Sequence, residues 1–231
     1  MLAKNWMHRP PITVNADAAL KDVVALLTKH GLHILPVVDN DQLVGVITQL
    51  DIKRASTSEV FSLEDPELAG SIARIKVKAI MNKKPITIAE DHTIEETAVL
   101  FFVHDISGMP VVDSAGKLVG VITQNDIFRA LILLTGINKK GIQFALRLKD
   151  RPGAIKEITD IIRERGGRIA SILSTNKPSE EGFLSVYIRA YDLDLSSRNR
   201  LKNIIREHSE MLYAVDHDEN TREVYESRSQ K

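Results

Sequence analysis

Two short motifs with the same spacing carry the side chains that could bind a ligand. Each has a threonine followed three residues later by an aspartate, at Thr48 and Asp51 and again at Thr123 and Asp126. In both places a β-branched run ends and a helical pattern begins. A carboxylate there can accept hydrogen bonds from both ribose hydroxyls, and a threonine hydroxyl with the free amides of a helix start favours a phosphate. The motifs therefore indicate a nucleoside or nucleotide site.

The same spacing also has a purely structural interpretation. Thr-x-x-Asp is a shortened capping box, in which the hydroxyl caps the helix and the carboxylate lies near the positive end of its dipole. Arg54 and Arg129, three residues after each aspartate, could approach phosphates or lie on a solvated helix face. A single motif favours the structural interpretation, so the duplication is what gives the binding interpretation its weight.

An internal repeat places these motifs in equivalent positions. At a shift of 74 residues Pro36–Asp39 matches Pro110–Asp113, and at a shift of 75 Leu43–Ala55 matches Leu118–Ala130 with eleven of thirteen residues identical. Each copy has the pattern of a strand, a helix, a two-stranded hairpin and a second helix. We therefore predict a duplicated unit of about 50 residues whose copies pair around a pseudo-twofold axis.

The first strand of each copy is predicted at a short β-branched run that follows proline. These runs are Ile12–Val14 and Ile86–Ile88, and both suit the start of a strand. Thr93 and Glu96 have the spacing of a capping box and predict the start of the helix that follows in the second copy.

The hairpin sequence hydrophobic-Pro-Val-Val-Asp, followed by Gly-hydrophobic-hydrophobic-Thr-x-x-Asp, resembles the CBS domain, a module named after cystathionine β-synthase that occurs in tandem pairs. We accordingly predict one CBS domain at residues 5–60, a connecting segment at 61–77 and a second CBS domain at 78–135. The resemblance implies an adenine nucleotide as ligand, with AMP or ATP favoured over S-adenosylmethionine because arginines suit anionic phosphates.

The resemblance also implies that each cleft is built from both copies. One cleft would combine Thr123, Asp126 and Arg129 with Thr13, Leu32 and His33. The other would combine Thr48, Asp51 and Arg54 with Thr87, Ile106 and Ser107. Because Asn125 replaces Leu50 and Ser107 replaces His33 between the copies, we expect the two clefts to bind ligand with unequal affinity.

The second half of the chain has a different pattern. Alternating strands and amphipathic helices in the order βαββαβ predict a ferredoxin-like domain with an antiparallel sheet. The strand, Asp150–Gly153 turn and helix resemble an ACT domain over residues 142–216, and 217–231 is predicted to be a solvated polar tail. The resemblance implies a small-metabolite site, such as one for an amino acid. Its candidate ligand loop is Asp150, Gly153, Ala154 and Ile155.

Composition excludes several classes of protein. Lys plus Arg and Asp plus Glu both number 31, so no net charge favours nucleic acid or an anionic membrane. Cysteine is absent, which removes disulfides, thiolate metal sites and cysteine nucleophiles. The sequence has no apolar segment of membrane-spanning length and no recognisable catalytic or metal-binding motif. We therefore expect a cytoplasmic, non-catalytic protein that needs no metal or cofactor.

The predicted fold class is α/β (α+β): a tandem CBS pair with pseudo-twofold symmetry, followed by a ferredoxin-like βαββαβ domain. This order is similar to that of bacterial accessory proteins assigned to acetoin utilisation, and implies a regulator with an unidentified target protein. Phe183, Tyr187 and Tyr191 share one face of a predicted strand and favour a homo-oligomer. The alternative is an oligomeric scaffold whose clefts are structural.

Overall fold

The computed structural model describes residues 1–57, 75–176 and 181–225. The chain divides into two compact units, Met1–Ala130 and Leu131–Lys231. Of the predicted connecting segment at 61–77, the part up to residue 74 lies outside the described residues, as do residues 226–231 of the predicted tail.

The first repeat folds in the predicted element order. Its elements are β1 (Val14–Asn15), α1 (Leu20–His30), β2 (Ile34–Asp39), β3 (Gln42–Thr48) and α2 (Gln49–Thr57). Strand β2 lies at the centre of a three-stranded sheet, parallel to β1 and antiparallel to β3. Strand β1 is shifted from the predicted Ile12–Val14, because it is Val14 and Asn15 that pair with β2, at Val37 and Val38.

The second repeat has the same order and pairing. Its elements are β4 (Ile88–Ala89), α4 (Ile94–His104), β5 (Gly108–Val112), β6 (Leu118–Thr123) and α5 (Gln124–Leu134). The predicted capping box of α4 is confirmed: the Glu96 amide donates to Thr93 Oγ1 at 3.2 Å, and the Thr93 amide donates to Glu96 Oε2 at 2.8 Å. The corresponding first-repeat residue is Ala19, which has no side chain to cap α1.

The segment that precedes each repeat packs on the other repeat. The N-terminal segment (residues 1–9) contains a 3-10 helix, Ala3–Asn5, and places Ala3 and Met7 in the hydrophobic core of the second repeat. The inter-repeat segment (residues 75–82) contains α3 (Val77–Ile80) and places Val77 in the core of the first repeat. Val77 therefore belongs to a folded core, although the sequence analysis assigned it to the connecting segment.

Two glycines allow these crossing segments to approach the hairpins closely. A Cβ atom on Gly120 would lie 2.4 Å from Met7 Sδ, and one on Gly45 would lie 2.7 Å from the carbonyl oxygen of Asn82. The backbones of His8 and Val121 exchange hydrogen bonds at this crossing, and those of Asn82 and Val46 do so at the equivalent one. The repeated Leu-Val-Gly-Val-Ile-Thr sequence thus supplies the space that each crossing requires.

Acidic Asp17 fastens the inter-repeat segment to the first repeat. Its carboxylate accepts from Lys78 Nζ at 2.8 Å and from Lys76 Nζ at 2.9 Å. Hydrogen bonds from Lys78 and then Lys76 lower the pKa of Asp17 to about 2. The pKa of Lys78 is raised by the same contact. All three side chains are exposed, so the attachment is a surface one.

The second unit has the predicted βαββαβ order with one strand added. After a 3-10 helix (Ile137–Lys139) it contains β7 (Ile142–Lys149), α6 (Ala154–Glu164), β8 (Arg168–Thr175), β9 (Phe183–Tyr191), α7 (Leu195–His208), β10 (Glu210–Asp216) and β11 (Thr221–Val224). The strands form one antiparallel sheet in the order β11-β10-β7-β9-β8. Its core contains Phe144, Leu146, Ile158, Ile188 and Ile205.

The described part of the predicted polar tail, residues 217–225, is largely exposed but contains strand β11, which the sequence analysis did not predict. Strand β11 pairs along β10, the amide of Tyr225 donates to the carbonyl of Leu212 at 2.9 Å, and the Tyr225 ring packs against the core. Burial and the Glu223 carboxylate raise the pKa of Tyr225 to about 12. The polar sequence hid this strand, because β11 is held by backbone pairing with β10 and by a salt bridge between Glu223 and Lys202, and neither depends on an apolar pattern.

The aromatic face of β9 is covered by cationic side chains of the same unit. Arg147 lies over Phe183 with its guanidinium carbon 3.8 Å from the ring centroid, and Arg168 lies over Tyr191 at 5.3 Å. Arg189, only 3% exposed, lies on this face and donates from Nε to the carbonyl of Thr135 at 2.9 Å. Burial lowers its pKa. These contacts occupy much of the face that the sequence analysis assigned to an oligomer contact.

Candidate functional site

Both Thr-x-x-Asp motifs lie at the predicted junction of a strand and a helix. In the first repeat Thr48 donates to Asp51 Oδ2 from its hydroxyl at 2.7 Å and from its amide at 2.8 Å. Thr123 and Asp126 reproduce both contacts at the same distances. The carboxylate half of the predicted capping box is therefore present at both helix starts and fixes one oxygen of each aspartate. In the first repeat the Asp51 amide also donates to Thr48 Oγ1 at 3.2 Å.

A glutamine after each threonine holds the loop that precedes the hairpin. Gln49 Nε2 donates to the carbonyl of Leu32 at 3.1 Å, and Gln124 Nε2 donates to the carbonyl of Ile106 at 3.2 Å. In each repeat the carbonyl of the next loop residue, His33 or Ser107, accepts a hydrogen bond from the backbone amide of the same glutamine. Sequence reasoning missed these residues, although their recurrence at equivalent positions was a usable signal.

The cavity at the start of α5, here the Asp126 cavity, has a volume of about 700 Å³. Of the residues predicted for it, the structure brings together Thr123, Asp126, Arg129, Leu32 and His33. Thr13 does not line this cavity, and its neighbour Ile12 does so instead. The cavity also contains residues that were not predicted, namely His8, Arg9 and His30.

The cavity at the start of α2, here the Asp51 cavity, has a volume of about 510 Å³. The structure brings together Thr48, Asp51, Arg54, Ile106 and Ser107 as predicted. Thr87 is not among the lining residues, and Ile86 takes its place. Thr13 and Thr87 are equivalent positions of the two repeats, and at both the preceding isoleucine faces the cavity instead of the threonine.

His33 and Ser107 do not separate the two cavities as expected. Both residues line both cavities, and Ile34 does so as well. The loop before β2 and the loop before β5 are therefore shared. The predicted difference between His33 and Ser107 cannot by itself make one cavity unlike the other.

The carboxylate of Asp126 is fully buried and makes contacts on both oxygens. Besides the Thr123 contacts to Oδ2, Oδ1 accepts from Arg129 Nη1 at 3.1 Å and lies 3.2 Å from His8 Nε2. The two basic side chains are 60% and 56% exposed, so solvent screens them while the carboxylate itself is dry. His8 reaches this site because the N-terminal segment crosses onto β6.

The candidate ligand loop of the second unit is only partly assembled. Gly153 precedes α6 with φ of +86°, and the amide of Ala154 already donates to the carbonyl of Arg151 at 3.2 Å. A cavity of about 220 Å³ is lined by Ala154, while Asp150, Gly153 and Ile155 are not among its lining residues. The N–H of Ala154 is therefore used by a local turn, and Ala154 is the residue of the candidate loop that lines this cavity.

A salt bridge lies across the same helix start. Arg151 donates to Glu157 through both terminal nitrogens, at 2.8 and 2.6 Å. Hydrogen bonding raises the pKa of Arg151 and lowers that of Glu157. The cation nearest the predicted loop thus already has a carboxylate partner.

Two further features are absent from the described ranges. Residues 1–57, 75–176 and 181–225 contain no cluster of three or more His, Asp or Glu side chains arranged to hold a metal ion. In the same ranges no helix has the length and apolar character needed to cross a membrane.

Comparison with known proteins shows what the first unit is similar to. The family described as CBS domain matches residues 3–58 and 77–133. A CBS domain-containing protein of Dictyostelium discoideum is 34% identical over 133 residues, which cover 57% of this chain and 92% of that protein. L-aspartate semialdehyde sulfurtransferase of Methanocaldococcus jannaschii is 33% identical over 129 residues, which cover 55% of this chain but only 23% of the enzyme.

Solved structures give the same result. A Methanocaldococcus jannaschii protein shares 27% identity and a TM-score of 0.52 over 56% of this chain and 47% of its own. The CBS domain pair of another protein of that organism, solved with 5′-methylthioadenosine and S-adenosyl-L-methionine, is 32% identical over 57% of this chain and 95% of its own, with a TM-score of 0.48. With its tandem repeat, its fold and a relative matched over nearly its whole length, this chain belongs to the CBS domain family.

Proposed function

We propose that this chain is a non-catalytic regulatory protein that binds adenine nucleotides, AMP or ATP, in the Asp126 and Asp51 cavities. The observation that carries the proposal is the repeated composition of the two cavities. Each joins the Thr-x-x-Asp-x-x-Arg helix start of one repeat to the apolar loop before the hairpin of the other. Their volumes are those of small-molecule sites.

Each cavity contains partners for all three parts of a nucleotide. Apolar side chains suit the adenine ring: Ile12, Leu32, Ile34 and Val121 in the Asp126 cavity, and Ile34, Val46, Ile86 and Ile106 in the Asp51 cavity. Asp126 and Asp51 are the candidates to accept from ribose hydroxyls. The amides at the helix start and the arginine one turn later suit phosphate.

The arginines favour a phosphorylated ligand over S-adenosylmethionine. Arg129 and Arg54 line their respective cavities on the same helix face as the aspartates. A guanidinium attracts phosphate oxygens and repels the positively charged sulfonium of S-adenosylmethionine. We therefore expect AMP and ATP to bind more tightly than S-adenosylmethionine.

Isothermal titration of the full chain with AMP, ATP and S-adenosylmethionine tests the proposal. We expect two binding events for the native chain, one for Asp51→Ala, one for Asp126→Ala and none for the double variant. The matched control is Asp91→Asn, since Asp91 is an exposed acid of the second repeat that lines neither cavity. A double variant that stays folded, judged by circular dichroism, and keeps native affinity would refute the ribose assignment.

The capping contacts favour a second candidate, a scaffold in which the cavities are structural. Thr48 and Thr123 already satisfy one oxygen of each aspartate without a ligand. Under this alternative the native chain binds none of the three compounds, and Asp51→Ala and Asp126→Ala lower only the free energy of unfolding.

For the second unit we propose an ACT domain that supports homo-oligomer formation. The sheet order β10-β7-β9-β8 within its five strands is that of a ferredoxin-like fold, and β8 forms an open edge that bears Ile172 and Leu173, 40% and 38% exposed. Sedimentation velocity at micromolar concentration tests this proposal, and a monomer would contradict it. The order of the domains also leads us to propose the role of acetoin-utilisation accessory protein, acting on a target protein.

A further inference from the structure

The two cavities differ in the charge of their walls. The Asp126 cavity is lined by Arg9, Arg129 and one carboxylate, Asp126, and Arg9 is paired with Glu90, so the charges of this wall are close to balanced. The Asp51 cavity is more negative, since one arginine lies there with two aspartates, Asp51 and Asp105. A ligand with more negative charge is therefore favoured in the Asp126 cavity, because the additional carboxylate of the Asp51 cavity wall, which would repel it, is absent there.

Imidazole groups add to this difference. His8, His30 and His33 line the Asp126 cavity, whereas His33 is the histidine of the Asp51 cavity. An imidazole carries an N–H donor in both its neutral and its charged form, so it can donate to a phosphate oxygen in either form. The larger cavity, about 700 Å³ against about 510 Å³, thus also has more donors for phosphate.

The N-terminal segment brings His8 to the Asp126 cavity where it crosses onto β6. In the repeat alignment Asn82 stands where His8 stands, and each residue lines the cavity onto which its segment crosses. The backbone contacts of the two are equivalent, His8 with Val121 and Asn82 with Val46. Only the side chain differs, so position 8 is a natural single-residue difference between two sites of the same construction.

The surroundings of Asp126 indicate what His8 does when a nucleotide binds. A ribose hydroxyl that approaches Asp126 Oδ1 meets His8 and Arg129, which lie 3.2 and 3.1 Å from that oxygen. Both basic side chains are more than half exposed, so they can turn from the carboxylate to the phosphates as the ribose takes their place. Arg9 already donates to Glu90 at 2.5 Å. Of the three histidines of this cavity His8 is the one in contact with Asp126, so we assign to it the added hydrogen bond to phosphates beyond the first.

We infer that the Asp126 cavity prefers nucleoside di- and triphosphates, that the Asp51 cavity does not share this preference, and that His8 sets the difference. This inference rests on the proposed nucleotide-binding function and names the ligand class of one of its two sites. It makes the protein a sensor in which one site responds to polyphosphate nucleotides and the other does not discriminate by phosphate number.

Titration of single-cavity variants tests the assignment. Asp51→Ala retains the Asp126 cavity, and there we expect ATP to bind about tenfold more tightly than AMP, the effect of one additional charge-assisted hydrogen bond. Asp126→Ala retains the Asp51 cavity, and there we expect AMP and ATP to bind about equally. Adding His8→Asn to Asp51→Ala should weaken ATP binding about tenfold and leave AMP binding unchanged.

Two further variants control the experiment. Asn82→His in the Asp126→Ala background should strengthen ATP binding relative to AMP. His104→Asn should change neither affinity, because His104 stands at the repeat position of His30 but lines neither cavity. If Asp51→Ala does not fold, His8→Asn in the otherwise native chain gives the same comparison through one of its two binding events.

The outcomes separate this inference from the proposed function. Equal affinity for AMP and ATP in the Asp126 cavity, or an equal loss of both in His8→Asn, would overturn the inference while nucleotide binding stands. A native chain that binds neither AMP nor ATP would overturn the proposed function and the inference together.

Discussion

The Asp126 and Asp51 cavities have the same local construction and different surroundings. In both, a threonine at the start of a helix donates to the aspartate three residues later, from its hydroxyl at 2.7 Å and from its amide at 2.8 Å. Asp126 additionally contacts His8, whereas Asn82 stands at that position beside the Asp51 cavity. A duplicated motif therefore preserved its local geometry, and the segments that cross between the repeats made its two copies chemically different.

The comparison shows where specificity can change in a duplicated fold. The Thr-x-x-Asp motif is constrained because it terminates a strand and begins a helix at once. The crossing segments contact each cavity through side chains at one or two positions, and their backbone pairing does not depend on side-chain type. Substitutions at those positions can alter one site without altering the fold.

The largest loss of stability is expected when Asp126 is replaced by alanine, and replacement of Asp51 should cost less. Asp126→Ala should lower the free energy of unfolding by about 2–3 kcal/mol, because it removes a buried carboxylate that satisfies Thr123 and contacts Arg129 and His8. Asp51→Ala should cost about 1 kcal/mol, the value of a helix cap, since Asp51 is only half-buried. Urea unfolding measures both. Equal losses would mean that the contacts to Arg129 and His8 contribute nothing.

The next effect concerns the glycines beneath the crossing segments. Gly45→Ala should cost about 2 kcal/mol, because its Cβ would lie 2.7 Å from a backbone oxygen of Asn82. Gly120→Ala should cost less, about 1 kcal/mol, because its nearest contact is a side chain, that of Met7, and the nearest backbone atom, the His8 oxygen, is 3.1 Å away. Thermal unfolding of the two variants gives the order, and the reverse order would contradict this explanation.

A smaller effect is expected when the capping residues of the two repeats, Thr93 and Ala19, are each replaced by the other's residue type. Thr93→Ala removes the side-chain half of the capping box of α4 and should lower stability by about 1 kcal/mol. Ala19→Thr introduces the missing cap of α1 at a residue already in the extended conformation, with φ −81° and ψ 150°. It should raise stability by a similar amount, about 1 kcal/mol. No gain from Ala19→Thr in chemical unfolding would show that the first repeat does not need that cap.

The smallest effect is a pH dependence confined to the first repeat. The pKa of Asp17 is about 2 in the folded protein and about 3.9 in an unfolded chain, so the folded state binds the proton more weakly. The stabilisation is therefore fully present above about pH 4 and is lost as the pH falls toward 2.

Melting temperatures between pH 6 and pH 3 test this dependence. Asp17→Asn should lose less stability on acidification than the native chain, by a small amount because the group is exposed. Asp91→Asn is the control, since Asp91 is the exposed aspartate at the same repeat position of the second repeat. The same acid sensitivity in Asp17→Asn and the native chain would rule out this salt bridge as its source.

Much of the fold follows from local sequence features. The duplicated hairpins, the helix starts at Thr48 and Thr123 and the βαββαβ order of the second half all depend on periodicity and turn chemistry over a few residues. Strand β11, in the described part of the predicted tail, could not be predicted from local sequence, since it has a polar sequence and is held by pairing with β10. Local propensity carries little information on such a strand.

The candidate sites also combine features that the sequence shows with contacts that only the fold creates. The sequence by itself determined the repeat, the paired Thr-x-x-Asp motifs and the arginines after them, because these interactions span three or four residues along one chain segment. Only the tertiary structure decided that His8 contacts Asp126 and that Asn82 lines the other cavity. The physical reason is that each crossing segment is held by long-range backbone pairing and by the space at a glycine, and neither leaves a periodic signal in the sequence.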